Sequence, residues 1–131
     1  MSVALQIRDE TTSGDITREF KLEILSEKIT VRELIRKRVF EEVDAYNRQA
    51  PGRFHGLIQP TESEQALNGL KIRKVKKVDP EKQYRKAIDA FGTLSLMVIV
   101  NDRQVESLDD EIIITPKTVV TFLKLVPLVG G

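Results

Sequence analysis

The chain has 131 residues, 40% of them hydrophobic and 31% charged, so it can bury one ordinary core and reads as one domain or a domain with a large insertion. Its formal charge of +1 gives no global field for nucleic acid or an anionic membrane, and the lack of cysteine excludes disulfides, thiolate metal sites and cysteine nucleophiles. The opening MSVALQIRDE carries no basic stretch followed by an apolar run, and no apolar segment approaches the ~20 residues of a membrane span, so a soluble cytoplasmic protein is expected.

Val3, Leu5 and Ile7 alternate with polar neighbours, the period of a half-buried strand. Thr11 to Asp15, with Gly14-Asp15, is a turn, and Phe20, Leu22 and Ile24 alternate again within Ile16 to Leu25. The two runs predict an antiparallel hairpin.

Thr30 and Glu33 have capping-box spacing, which predicts a helix start. Val31, Leu34, Ile35, Val39, Val43 and Tyr46 form one apolar stripe. Arg32, Glu33, Arg36, Lys37, Glu41 and Glu42 take the polar face, and Phe40 sits at the margin. Pro51-Gly52 ends the helix.

Residues 48–92 differ from their flanks and are read as an insertion, part helical and part extended. Thr61 to Glu64 is a second capping-box candidate, and Asn68-Gly69 a stop for the short helix it would begin. Leu70 to Val78 carries Lys71, Arg73, Lys74, Lys76 and Lys77, read as the solvated face of a strand or arm. Asp79-Pro80 starts another helix, with Tyr84, Ala87, Ile88 and Phe91 as its buried stripe and Gly92 as its stop.

From Leu94 strands return. Leu96 to Val100 is apolar on both faces, as befits a central strand. Asn101-Asp102 is a turn, Gln104-Val105 a short strand, Leu108 to Asp110 a tight turn and Ile112 to Ile114 a brief apolar return. Thr115 to Lys117 turns again, and the last strand is Thr118 to Val126, leading into Pro127, Leu128, Val129, Gly130 and Gly131. On this strand Val119, Leu123 and Leu125 lie on one side, Val120, Phe122 and Val126 on the other. One sheet face must pack on the Val31–Tyr46 helix; the other is either an apolar docking patch or is covered by the helix around Tyr84 to Phe91. His55 has no second ligand beside it and reads as a loop histidine; Asp109, Asp110 and Glu111 read as a solvent-facing turn.

A hairpin, one amphipathic helix and strands ending in LMVIVNDRQVESLDDEIIITPKTVVTFLKLVPLVGG resemble the β-grasp ubiquitin-like superfamily, which includes the prokaryotic sulfur carriers. The resemblance covers roughly residues 3–46 and 94–131, and Pro127 resembles the Pro-containing tail of the small subunit of molybdopterin synthase. It implies an α+β fold, a β-grasp mixed sheet with one main helix, forming a single domain over 1–131 with the insertion 48–92 inside it and a flexible tail at 126–131. It further implies that an ATP-dependent, ubiquitin-activating-type adenylating enzyme recognises Phe122, Leu123, Leu125, Val126, Pro127, Leu128 and Val129 and activates Gly131, with Gly130 and Gly131 passing a narrow channel. An α-carboxylate, with an ordinary pKa of about 3.5, is ionised at neutral pH. Extended, the last six residues reach about 20 Å.

On this resemblance the chain is not an enzyme and takes no cofactor or metal of its own; ATP is used by the partner. A protein modifier is preferred, joined by isopeptide bonds to targets, with a conjugating enzyme and a deconjugating protease as further partners and no nucleic acid or membrane. A sulfur carrier ending in a thiocarboxylate is the first alternative, disfavoured because carriers are commonly smaller. A β-grasp binding module with no tail chemistry is the second.

Overall fold

The computed structural model describes residues 2–48, 56–58 and 78–128. Among them the elements run β1 (Val3–Thr11), β2 (Ile16–Ile24), β3 (Lys28–Thr30), α1 (Val31–Arg48), α2 (Pro80–Gly92), β4 (Leu96–Val100), β5 (Arg103–Val105), β6 (Glu111–Ile113) and β7 (Val119–Lys124). The class is α+β, with a five-stranded mixed sheet in the order β2-β1-β7-β4-β5 and a two-stranded ladder of β3 with β6. Two compact units result, one built from the chain up to Leu34 and from Ala90 to Pro127, the other from Ile35 to Asp89 and from Leu128 onward. Pro51-Gly52, His55, the Thr61–Glu64 box, Asn68-Gly69 and the lysines and arginine of 71–77 lie outside the described residues.

In the first unit β1 and β2 form the expected hairpin. Gly14 sits at φ +89°, the left-handed region that glycine enters without a Cβ penalty, and its N–H donates to the Thr11 carbonyl at 2.9 Å. The register sets Leu5 opposite Leu22 and Ile7 opposite Phe20. Leu5, Ile7, Leu22 and Ile24 are buried, whereas the reverse face carries Gln6, Arg8 and Glu19, the last two paired at 2.9 Å. β7 lies in parallel beside β1 and antiparallel beside β4, so that Val120 and Phe122 face Ile7 and Asp9 on one side and Val100 and Val98 on the other. Val98, Val120 and Phe122 are wholly buried, and β4 is interior to the sheet as its two apolar faces predict.

The last strand is shorter than the apolar run, ending at Lys124 rather than Val126. Its partner β4 begins at Leu96, and one step beyond it the Leu125 N–H donates to the Ser95 carbonyl at 3.0 Å. Before Ser95 the chain turns away, because Leu94 has φ 61°. Leu94 also corrects the expected helix stop. Gly92 is the last residue of α2, and the left-handed residue lies two positions later. The Ser95 N–H donates to Ala90 at 2.8 Å and the Leu94 N–H to Phe91 at 3.2 Å, the paired bonds of a Schellman ending with leucine where glycine is usual. A leucine there costs roughly 1–2 kcal/mol of backbone strain.

α1 begins as its capping box predicts. The Thr30 Oγ1 accepts from the Glu33 N–H at 3.1 Å, and a Glu33 carboxylate oxygen accepts from the Thr30 N–H and hydroxyl, each at 3.0 Å. The two preceding helical N–H groups, which no helix can satisfy internally, donate to the turn before β6: Val31 to the Asp110 carbonyl at 3.0 Å and Arg32 to that of Leu108 at 2.9 Å. Arg32 also meets Asp109 at 3.5 Å. The acidic turn is exposed at Asp109 to Glu111, yet its backbone completes the helix start. Thr30 is also the last residue of β3, a strand not expected from the sequence, opposite Glu111 in β6.

In the second unit α2 starts at Asp79-Pro80 as expected, with Asp79 Oδ1 accepting from the Glu81 N–H at 2.9 Å. Its buried side chains are Gln83, Ala87, Ala90 and Phe91, with Tyr84 and Ile88 only half-buried, so the stripe is rotated from the expected one. On α1, Ile35, Val39 and Val43 are buried as expected, but so is Arg38 at 0% exposure, and Glu42 belongs with it rather than on the polar face.

Replacing Thr30 by Ala should lower unfolding stability by about 1 kcal/mol at neutral pH. Hydrogen bonds from the Thr30 N–H and then its hydroxyl hold the Glu33 carboxyl below its ordinary value, outweighing a small opposing effect of burial. A depressed folded-state pKa stabilises above the ordinary glutamate range, and that contribution disappears as pH falls through the folded value. Denaturant titrations should therefore show the Thr30→Ala deficit shrinking in acid; a pH-independent deficit contradicts the role given to the carboxylate.

Candidate functional site

The sheet's middle strand carries the candidate site. Because β7 is flanked by β1 and β4, its end is fixed from both sides up to Lys124, opposite Thr11 and Leu96. The Leu125 bond to Ser95 extends that hold by one residue. Leu125, Val126 and Pro127 then emerge exposed, at 36% and 49% for the first two, and Leu128 is buried again. Val129, Gly130 and Gly131 lie outside the described residues. Of the residues expected to meet a partner, Phe122 is wholly buried and belongs to the sheet interior, whereas Leu123 is half-buried on the opposite face.

That opposite face is assembled by register. Arg8 aligns with Thr121 and Glu10 with Leu123 across β1 and β7, and Leu123 with Met97 and Thr121 with Ile99 across β7 and β4. One half is therefore apolar, made by Met97, Ile99, Val119 and Leu123, all half-buried around Thr121. The other half is charged, with Arg8 and Gln6 bound to Glu19 and with Lys21 and Glu23 exposed beside them. The sequence pattern identified Met97 and Ile99 as apolar but not as neighbours of Leu123, which only strand pairing reveals. Such a face combines apolar contact area with a charged rim, the division found in protein docking surfaces.

Near the end of β4 and β5 is a groove of about 330 Å³ lined by Phe91, Leu94, Leu96, Met97, Gln104, Val105 and Glu106. The exposed side chain of Leu94, at 63%, stands at its margin, beside the bond that joins Ser95 to Leu125. Apolar surface thus surrounds the point where β7 releases the chain.

In the second unit, α1 holds two separate parts of the insertion. Glu42 accepts from Arg38 Nε at 3.1 Å through one carboxylate oxygen and from the Leu57 N–H at 3.0 Å through the other. Leu57 and Ile58 are each 1% exposed. Five positions further along α1, the Asn47 side-chain amide donates to the Val78 carbonyl at 2.9 Å while its oxygen accepts from the Val78 N–H at 3.0 Å. Residues 56–58 and 78 are therefore fixed to one helix at points about 7.5 Å apart along its axis. Nearby, Arg36 lies over the Phe40 ring at 4.1 Å, and Tyr84 meets Phe40 edge-on with centroids 6.5 Å apart.

Among the described residues no helix is long and apolar enough to cross a membrane. Compared with family models, curated proteins and solved structures, the chain matches none of them.

Asn47→Leu keeps the side-chain volume while leaving both backbone groups of Val78 without that partner. It should cost about 1–3 kcal/mol and speed amide exchange at Val78 while sparing the β1–β7 amides. Unchanged exchange at Val78 would contradict the anchoring role.

Proposed function

We propose that the chain is a β-grasp, ubiquitin-like protein modifier that is activated at Gly131 by an ATP-dependent adenylating enzyme. The strand order β2-β1-β7-β4-β5 carries this proposal. An antiparallel first hairpin whose opening strand pairs in parallel with the last strand, with the main helix between, is the β-grasp arrangement. It puts the strand leading to Gly130 and Gly131 in the middle of the sheet. The expected hairpin and helix are present, and the tail's root is an apolar, exposed stretch at Leu125 and Val126.

The chemistry needs only a free α-carboxylate on Gly131. One of its oxygens attacks the α-phosphorus of ATP, the bond from that phosphorus to the bridging oxygen breaks, and pyrophosphate leaves with the electron pair. A thiolate then attacks the acyl carbon and expels AMP. Since this chain has no cysteine, the thiolate comes from a partner. A target amine displaces the thiolate and loses a proton, leaving an amide. Throughout, the domain contributes position: the apolar half of the outer face, Met97, Ile99, Val119 and Leu123, is the surface on which the activating enzyme would seat itself, with the charged half setting orientation.

ATP–pyrophosphate exchange tests the first step. Adenylating enzymes from the same host should catalyse exchange that depends on the wild-type chain and falls to background with a chain lacking Gly130 and Gly131, whose thermal unfolding is unchanged. Equal exchange with both chains contradicts the proposal.

A further inference from the structure

Independently of any tail chemistry, we infer that the outer edge of β2 is a self-association surface that pairs antiparallel with β2 of a second copy. β2 ends the strand order, and among the described residues nothing pairs with its far side. It is nine residues long, unusual for an unprotected edge, whose open backbone donors and acceptors invite another strand. The rows Arg18 to Ile24 keep an unbroken register with β1, and a bulge at Thr17 turns the chain just beyond them.

The order of charges along this edge selects its occupant. Phe20 is the midpoint of β2, with Glu19 before it and Lys21 after it. Two copies related by a twofold axis through Phe20 set Glu19 of each opposite Lys21 of the other, Phe20 opposite Phe20, and Arg18 opposite Leu22. Both ion pairs form at once, on the side where Glu19 and Lys21 are exposed. Arg8 already sits 2.9 Å from Glu19, so Lys21 of the second copy would complete a three-membered charge network across the two sheets. On the other side the two half-buried Phe20 rings meet near the axis, each with its own Arg18 guanidinium 4.3 Å from the ring centroid. Centring the axis on Lys21 would oppose Lys21 to itself and Glu19 to Glu23, which like-charge repulsion disfavours. Centring it on Leu22 would use Lys21 and Glu23 and leave Glu19 out. Pairing of one edge with itself is closed, so a dimer forms rather than a filament.

Charge reversal tests both the surface and the register. Sedimentation velocity should show concentration-dependent dimers of the wild-type chain up to the millimolar range. Glu19→Lys and Lys21→Glu should each weaken dimerisation roughly tenfold or more, since each makes both pairs repulsive. Mixed in equal amounts, the two variants should form a heterodimer, because every Glu again faces a Lys. That recovery shows in the same experiment that both variants are folded. A wild-type chain that stays monomeric throughout overturns the inference. So does a Glu19→Lys chain that dimerises like the wild type, or a mixture that stays monomeric.

Discussion

The parallel pairing of β1 with β7 is the constraint on which the first unit depends. It joins segments from opposite ends of the chain, with Ile7 beside Val120 and Asp9 beside Phe122. Without it the hairpins β1–β2 and β4–β5 share no strand, since β7 is the only link between them in the sheet order. Contacts so distant in sequence are slow to form, because loop closure is costly before any burial repays it. The gain is that four wholly buried side chains, Ile7, Val98, Val120 and Phe122, meet in adjacent strands. The same pairing makes the last strand a central one, so the chain's final residues leave from the best-supported part of the sheet.

Long insertions are tolerated in such a topology, because doubling a loop costs only about 0.6 kcal/mol in closure entropy. The chain does more than tolerate its insertion. Glu42 and Asn47 spend side-chain hydrogen bonds on the backbone of Leu57 and Val78, and Glu42 does so while paired with a wholly buried arginine. Removing one member of a buried ion pair typically costs 3–5 kcal/mol, as ~3–5 is the penalty of an uncompensated charge. The insertion is therefore built onto α1, which makes it a plausible determinant of which enzymes engage the domain.

Local signals in the sequence were legible where one residue type suffices for one geometry. Gly14 in its turn, Thr30 with Glu33, Asp79 with Pro80 and the Asn101-Asp102 turn all stand where their side chains predict. The misses arose where neighbours decide. Arg38 and Gln83 occupy helix positions that periodicity assigns to the buried side, Arg38 one turn after Leu34 and Gln83 one turn before Ala87, but their polarity argued against it. Leu94 adopts a glycine-like backbone because two hydrogen bonds from the end of α2 hold it there. β7 stops at Lys124 because β4 has no residue left to pair, a fact about another strand. The outer face is likewise a product of register: Met97, Ile99, Val119 and Leu123 are apolar in the sequence, yet their adjacency depends on how β1, β7 and β4 align.

For a protein that supplies a carboxylate and a shape, the most direct test is a covalent product in the native host. No lysine or arginine follows Lys124, so trypsin acting on a conjugate would leave the seven residues Leu125 to Gly131 on the modified amine. Tandem mass spectrometry of the host proteome should find LVPLVGG joined through Gly131 to lysines of other proteins, and lose it when Gly130 and Gly131 are deleted. Free chain carrying one sulfur in place of a terminal oxygen, with no such branched peptides, would contradict the modifier account and favour a sulfur carrier; finding neither would contradict activation of Gly131 altogether.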